Sequence, residues 1–310
     1  MEQHINQTLP SSYKAYYSLR PIIPRSLQLY LRRKLIQYKK TKIGHIWPID
    51  PDCAPKPANW SGWPDGKQFA VILMHDVDTA AGYKKCRQLM ALEERHGFKS
   101  TFSFVPERYG FIEKALREEI KDRGFGLAIH GLKHDGKLFR SYALFKQRAA
   151  RINRYLKEWR ASGFTSPAMH HNLSWMHHLN IAYSVSTFDT DPFEPQANGV
   201  KTVFPIKLGA SDVVELPYSM PQDFTLFILM REKSIDIWLR KLDWIAERGG
   251  MVLLNTHPDY MCFNGGKCST EEYPVELYEK LLSHIRENYQ KQYWLTLAEE
   301  AAEYYKSSSH

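Results

Sequence analysis

The 310-residue chain lacks any CxxC pair; its four cysteines, Cys53, Cys86, Cys262 and Cys268, are scattered. That spacing argues against a thiolate zinc site and against a thioredoxin-like redox centre. Cys262 and Cys268 bracket "FNGGK" and could form a disulfide, but free thiols in a reducing compartment are expected. The opening "MEQHINQTLPSSYKAYY" lacks an early apolar core followed by a small-residue cleavage site. It does not read as a secretory signal, and a cytoplasmic protein is expected. Acidic residues are absent from one stretch. Lys14 to Lys42 holds nine basic side chains and none acidic, which exceeds the net +8 of the whole chain and leaves the remainder at about −1. No recognised nucleic-acid module accompanies this charge, so nucleic acid is not an expected partner.

What is present is a globular balance, with 43% hydrophobic, 25% charged and 13% aromatic residues, and enough chain for one large domain or two small ones. Within the basic stretch, "SLQLYLRRKLIQYKK" (26–40) predicts a helix: Ser26 is placed to cap it, and Leu27, Leu31, Leu35 and Tyr38 recur at helical spacing. It is too short and too charged to span a bilayer. Two placements are open: docked on the main domain with its basic side in water, or lying peripherally on the anionic inner face of a membrane through residues 14–42. Residues 44–66 are rich in Pro, Gly and Trp without a period, a connecting loop whose tryptophans suggest that it packs down. Residues 1–66 are thus expected to precede a domain over 67–310.

After Lys67, apolar β-rich runs at 69–75, 100–105, 126–130, 181–187, 212–218 and 251–257 alternate with helical stretches at 80–97, 111–123, 140–161 and 234–248. Strand then helix, repeated, predicts a parallel sheet covered by helices. Over about 240 residues an α/β barrel is expected rather than an open sheet. His75, His130 and His257 end three of the runs, where α/β folds collect ligands and catalytic groups.

Two clusters carry the chemistry. In "LAIHGLKHDG", His130 and His134 are four apart, so on a helical turn or in a looser loop two imidazoles can share one metal ion. In "VILMHDVDT", Asp76 and Asp78 sit at alternate positions directly behind a buried strand, costly unless paired or bound to a metal. Capping the helix that begins near Thr79 would explain one of them well and both poorly. Two histidines and one carboxylate make a catalytic three-ligand zinc pattern, which frees the other carboxylate to act as a base.

With these residues in view, the sequence resembles the polysaccharide deacetylases with a NodB homology domain (carbohydrate esterase family 4). "HDVD" is similar to a variant of that family's first motif. "HGLKH" matches the spacing of the second, with Gly131 in place of a hydroxyl residue, and "LLNTH" (253–257) resembles the fifth. The third motif departs, because "GFTSPAMHHN" has Thr165 where an arginine would hold the base aspartate; His170, His171 or an arginine from elsewhere would have to substitute. The resemblance implies a distorted (β/α) barrel of about seven strands. It implies Asp76 as base, Asp78, His130 and His134 as holders of a divalent metal, and His257 as acid. Zinc is the metal expected, and cobalt or nickel also suit such ligands.

"STFDTDPFEP" (186–195) and "ELPYSMPQDF" (215–224) follow strands at the same rim. Asp189, Asp191 and Tyr218 could line a sugar pocket, although Pro-rich loops with acidic caps arise without one. His171, Asp191 and Tyr218 are the candidate substrate contacts. Asp259 either orients His257 or sits in a turn. The function expected is removal of an N-acetyl group from an amino sugar, in a nucleotide- or lipid-linked precursor of a surface glycan. Two other readings stay open: an amidohydrolase of small cyclic amides, and a non-catalytic carbohydrate-binding relative.

Overall fold

The computed structural model describes residues 23–43, 46–53, 56–57, 60–110, 112–194, 199–209, 211–265 and 268–308. Lys14 and Arg20 of the basic stretch lie outside them. Helix α1 (Arg25–Ile43) leads to strand β1 (Phe69–Val77), α2 (Ala80–His96), β2 (Thr101–Phe104), α3 (Lys114–Asp122), β3 (Gly126–His130), α4 (Tyr142–Trp159) and β4 (Gly163–Thr165). Then come β5 (Tyr183–Val185), β6 (Ile206–Lys207), β7 (Val214–Glu215), a wide helical segment Phe224–Met230, α5 (Asp236–Arg248) and β8 (Met251–Thr256). The chain ends with β9 (Met261–Cys262), β10 (Tyr273–Pro274), α6 (Glu276–Asn288), β11 (Tyr293–Leu295) and α7 (Ala298–Ser308). The four expected helices are observed with trimmed ends. Thr79 caps α2 by accepting from Ala81 N at 3.1 Å, and Gly97 ends it at φ 79°, the left-handed conformation that glycine tolerates. Because Thr79 is the cap, neither Asp76 nor Asp78 is used for capping.

The strands run β8-β1-β2-β3-β4-β5-β7-β6, all parallel except the last pair, with β11 beside the start of β1. The curled sheet closes without a ladder. After β7, Ser219 N and Met220 N both donate to Leu253 O at 3.2 Å, and Leu253 N returns a bond to Ser219 Oγ at 2.9 Å. This is a distorted α/β barrel. The pleat divides its core in two: Ala70, Ile72 and Met74 of β1 point inward with Val185, Leu216 and Leu253, while Phe69, Val71, Leu73 and Val77 pack under the helices. Ala298, Ala301 and Ala302 of α7 join the inner cluster. Ser162, just before β4, bonds Glu299 of α7 at 2.5 Å, which sets that helix at the strand starts and leaves the strand ends for chemistry.

In the connecting segment, residues 46–53, 56–57 and 60–66 are described, and the tryptophans there pack down as expected. Trp47 and Trp63 are buried, and Trp63 Nε1 donates to Gly249 O at 2.9 Å. Helix α1 covers the expected span but begins at Arg25, so Ser26 lies inside it and does not cap it, and it docks on the barrel with the opposite face to the one its apolar spacing suggests. Gln28, Leu29 and Ile36 are buried, whereas Leu27, Tyr30, Leu31, Leu35 and Tyr38 are exposed. Basic side chains hold the inner face: Arg33 Nε donates to Ile228 O at 3.0 Å and Lys39 Nζ to Pro192 O at 2.8 Å, and Arg32 lies 4.7 Å from the centre of the Phe224 ring. The four cysteines are free.

Candidate metal and catalytic site

Strand alternation separates the three polar residues of "HDVD". Asp76 and Asp78 point into the barrel mouth, while His75 points outward into the helix layer, where Nε2 meets Glu93 Oε1 and Nδ1 meets Thr256 Oγ1, both at 2.8 Å. Tyr278 and Ser100 also donate to Glu93, at 2.6 and 2.7 Å. His75 is therefore a fully satisfied buried histidine inside β1, not a strand-end site residue.

His130 ends β3, and His134 reaches it through a loop rather than a helical turn. The loop takes left-handed conformations at Gly131 (φ 59°) and His134 (φ 51°). A Cβ at Gly131 would fall 2.4 Å from Pro167 Cγ, so the hydroxyl residue of the resembling motif has no room here. Asp78 Oδ1 lies 3.1 Å from His134 Nε2 and 3.4 Å from His130 Nε2, and the three ligand atoms lie within 4.8 Å of one another. None of the contacts is aligned as a hydrogen bond, and Asp78 Oδ1 is buried without a donor. A buried carboxylate oxygen is rarely left so, and two imidazoles with one carboxylate are the donor set of zinc and similar cations. The three residues fit a divalent ion. Burial acts to raise the Asp78 pKa, but the imidazoles of His134 and His130 hold it well below the usual carboxylate range.

Thr165, where the resembling motif has an arginine, joins the metal trio to Asp76. Its hydroxyl is 2.6 Å from His130 Nδ1 and 2.6 Å from Ser103 Oγ, and it donates to Asp76 Oδ1 at 2.9 Å. The one consistent proton arrangement has His130 Nδ1–H donating to Thr165, leaving Nε2 as the ligand atom. Asn255 Nδ2 donates to Asp76 Oδ2 at 2.8 Å, and the Asp76 N–H bonds Asn255 Oδ1 at 3.2 Å. A hydroxyl and an amide thus hold the aspartate that an arginine was expected to hold. Neither signal was readable from spacing, because Asn255 and Thr165 each lie more than 80 residues from Asp76.

His257 follows β8, and its partner is Asp223, not Asp259. Nδ1 lies 2.7 Å from Asp223 Oδ1, and the His257 N–H donates to Asp223 Oδ2 at 2.8 Å. Tyr273 Oη donates to the same carboxylate at 3.1 Å. Burial works to lower the His257 pKa, but the Asp223 carboxylate, with smaller help from Asp78 and Asp76, raises it to about 10. Its Nε2 is the ring nitrogen left to carry a proton to a substrate. Asp259 instead accepts from Asp78 N at 2.9 Å and Thr79 Oγ1 at 2.5 Å, latching the turn between β1 and α2. Asp223 lies 34 residues before His257, and only the fold brings the two together.

The expected substrate contacts fall in different places. Tyr218 is buried inside the barrel on the Asp76 side; burial, then the charges of Asp76 and Glu215, push its hydroxyl well above the usual range. His171 is half-buried with Nδ1 3.0 Å from Met169 O, and burial lowers its pKa. Asp191 is buried and accepts from Phe193 N at 2.9 Å. Burial first, then Glu194, raises its pKa well above the usual range. Neither His171 nor Asp191 joins the metal trio. Asp189 is ion-paired with buried Lys241 and serves the fold.

No protein-family model and no curated protein matches this sequence. Among solved structures, the chain is similar to a Mycobacterium smegmatis protein assigned to the polysaccharide deacetylases, with 16% identity, 82% of this chain and 96% of that chain covered, and a TM-score of 0.61. The fold is that of a polysaccharide deacetylase. Weaker likenesses are to the peptidoglycan deacetylase PdaC from Bacillus subtilis (12% identity, 80% and 95% covered, TM-score 0.45) and to BA3943 from Bacillus anthracis, described as a pseudoenzyme of family CE4 (14%, 78% and 67%, 0.44). The Mycobacterium smegmatis likeness shows the fold and nothing of the chemistry. The case for chemistry rests on the side chains described above.

Proposed function

We propose that the protein is a metal-dependent hydrolase that removes the N-acetyl group from an amino sugar borne on a nucleotide or lipid carrier. The observation that carries this reading is the convergence of Asp78, His130 and His134 on one point, with Asp76 tied to His130 through Thr165. A divalent cation held by the trio would polarise the acetyl carbonyl and acidify a water beside it. Asp76, accepting from Thr165 and Asn255, takes the proton of the attacking water. His257, kept protonated by Asp223, gives a proton to the departing amine. Tyr218 borders Asp76 from inside the barrel, and His171 and Asp191 are proposed contacts to the rest of the sugar.

The lack of an arginine at Thr165 is what a non-catalytic relative would show. Asn255 and Thr165 on the two oxygens of Asp76 weaken that reading, since they orient the base without an arginine. The test is acetate release from a panel of N-acetylated nucleotide sugars and lipid-linked sugars, before and after chelation. Chelator-sensitive release that His130→Ala abolishes is expected. No release from any of them by protein that carries stoichiometric metal would overturn the reading.

A further inference from the structure

Six large apolar side chains are exposed among the described residues, and five of them, Leu27, Tyr30, Leu31, Leu35 and Tyr38, lie on α1. They form one stripe at helical spacing with Lys34 and Lys42, which are also exposed. Lys34 Nζ sits 5.9 Å from the Tyr30 ring centre and Lys42 Nζ 4.4 Å from that of Tyr38. Neither lysine has an acidic partner among the described residues, and α1 contains no acidic residue. A surface protein would ordinarily turn such a stripe inward. Here the inner face is committed to Arg33, Lys39 and Ile36, so the outward stripe needs another medium.

We infer that the outer face of α1 docks on an anionic lipid bilayer, leucines in the acyl boundary and lysines at the headgroups. Aliphatic and tyrosine side chains alternating with unpaired lysines match that boundary. A second copy of the chain is disfavoured, because two such faces would bring lysines together with no carboxylate between them. The helix is long enough to lie on a bilayer, and no helix among the described residues is long and apolar enough to cross one.

The position of α1 gives the docking a consequence. Arg32 is over Phe224, whose ring centre is 4.8 Å from that of Tyr260, which is 5.2 Å from that of His257. A bilayer at the outer face of α1 would therefore lie beside the mouth of the site. Combined with the deacetylase reading, on which this step rests, the substrate class becomes an acetylated sugar whose carrier stays in the membrane.

The test is sedimentation of the full chain with vesicles of phosphatidylglycerol and phosphatidylcholine mixed, and of phosphatidylcholine alone. Binding to the anionic vesicles is expected, weakened by salt. Leu27→Glu/Leu31→Glu/Leu35→Glu, checked by circular dichroism to be folded, should reduce partitioning by at least about tenfold; Lys34→Glu/Lys42→Glu should reduce it on anionic vesicles. Equal sedimentation of the triple variant, or none by the native chain, would overturn the docking. So would a dimer in ultracentrifugation that the triple variant dissociates. Vesicle binding without turnover would sink the deacetylase reading and leave the docking standing. Turnover of a soluble acetylated sugar, unchanged in the triple variant, would support the deacetylase reading whichever way sedimentation falls.

Discussion

The hydroxyl of Thr165 is the smallest group on which the proposed chemistry depends. It accepts from His130 and donates to Asp76, so its removal leaves a buried N–H and a carboxylate oxygen short of partners. Thr165→Val is expected to weaken zinc binding roughly 10- to 100-fold, as loss of a group orienting a metal ligand does, with Thr165→Ser restoring it; a competitive zinc titration reads both. Asp223 is expected to act through His257. Because its carboxylate lifts the imidazole pKa to about 10, the acid form persists through neutral pH and activity should fall only as pH rises through that value. Asp223→Asn removes the charge, moves the alkaline limb of the pH–rate profile down, and lowers kcat/KM at neutral pH roughly 100-fold, within the range of one proton-transfer group. An unmoved alkaline limb would assign it to some other group. Local spacing put His130 and His134 together with one of two aspartates, and the family resemblance singled out Asp78; the structure groups these three side chains. Sequence alone could not give Asp223, Asn255 or the outward turn of His75, which depend on partners across the barrel.

At the scale of elements, the strands around the barrel differ in how clearly they were written. β1, β3 and β8 are long apolar runs and were readable. β4 and β11 have only three residues each, too short for a period to show. The stripe on α1 was readable as a period but not as a direction, because periodicity does not say which side meets the protein. The short strand β7 carries a further consequence. Glu215 is fully buried, and its Oε1 accepts from Ser186 N, Thr187 N and Thr187 Oγ1, while Oε2 is buried without a donor. Burial outweighs those bonds and raises its pKa to about 7. The folded state then keeps a proton that the unfolded chain gives up near pH 4.5, so stability falls as pH rises from there and the loss is complete above 7. The Glu215 share is on the order of 3 kcal/mol. Glu215→Gln keeps an acceptor for the three donors and cannot ionise. Urea unfolding at pH 5 and pH 8 should show a smaller loss of stability in the variant than in the native chain. An equal loss would mean that Glu215 ionises in the fold without penalty.

Across the whole molecule, the trio is assembled from the residue just after β1, the end of β3 and the loop beyond it, and β1 is the strand that also pairs β2, β8 and β11. A cation held by these residues would tie the central strand to a loop that takes left-handed backbone conformations at Gly131 and His134. The barrel, by contrast, closes through a few bonds at Ser219 and Met220 and not through a full ladder. Binding to the folded state alone should therefore register in global stability: at a hundredfold excess over Kd the gain is about 2.7 kcal/mol. Zinc is expected to raise the thermal midpoint of the native chain, and a chelator to return it. His134→Ala should remove the rise, while the triple glutamate variant of α1 should keep it, because Leu27, Leu31 and Leu35 face outward and are not among the three ligand residues. If His134→Ala gained as much from zinc as the native chain, the ion would be binding elsewhere, and the proposed hydrolysis would lose its Lewis acid.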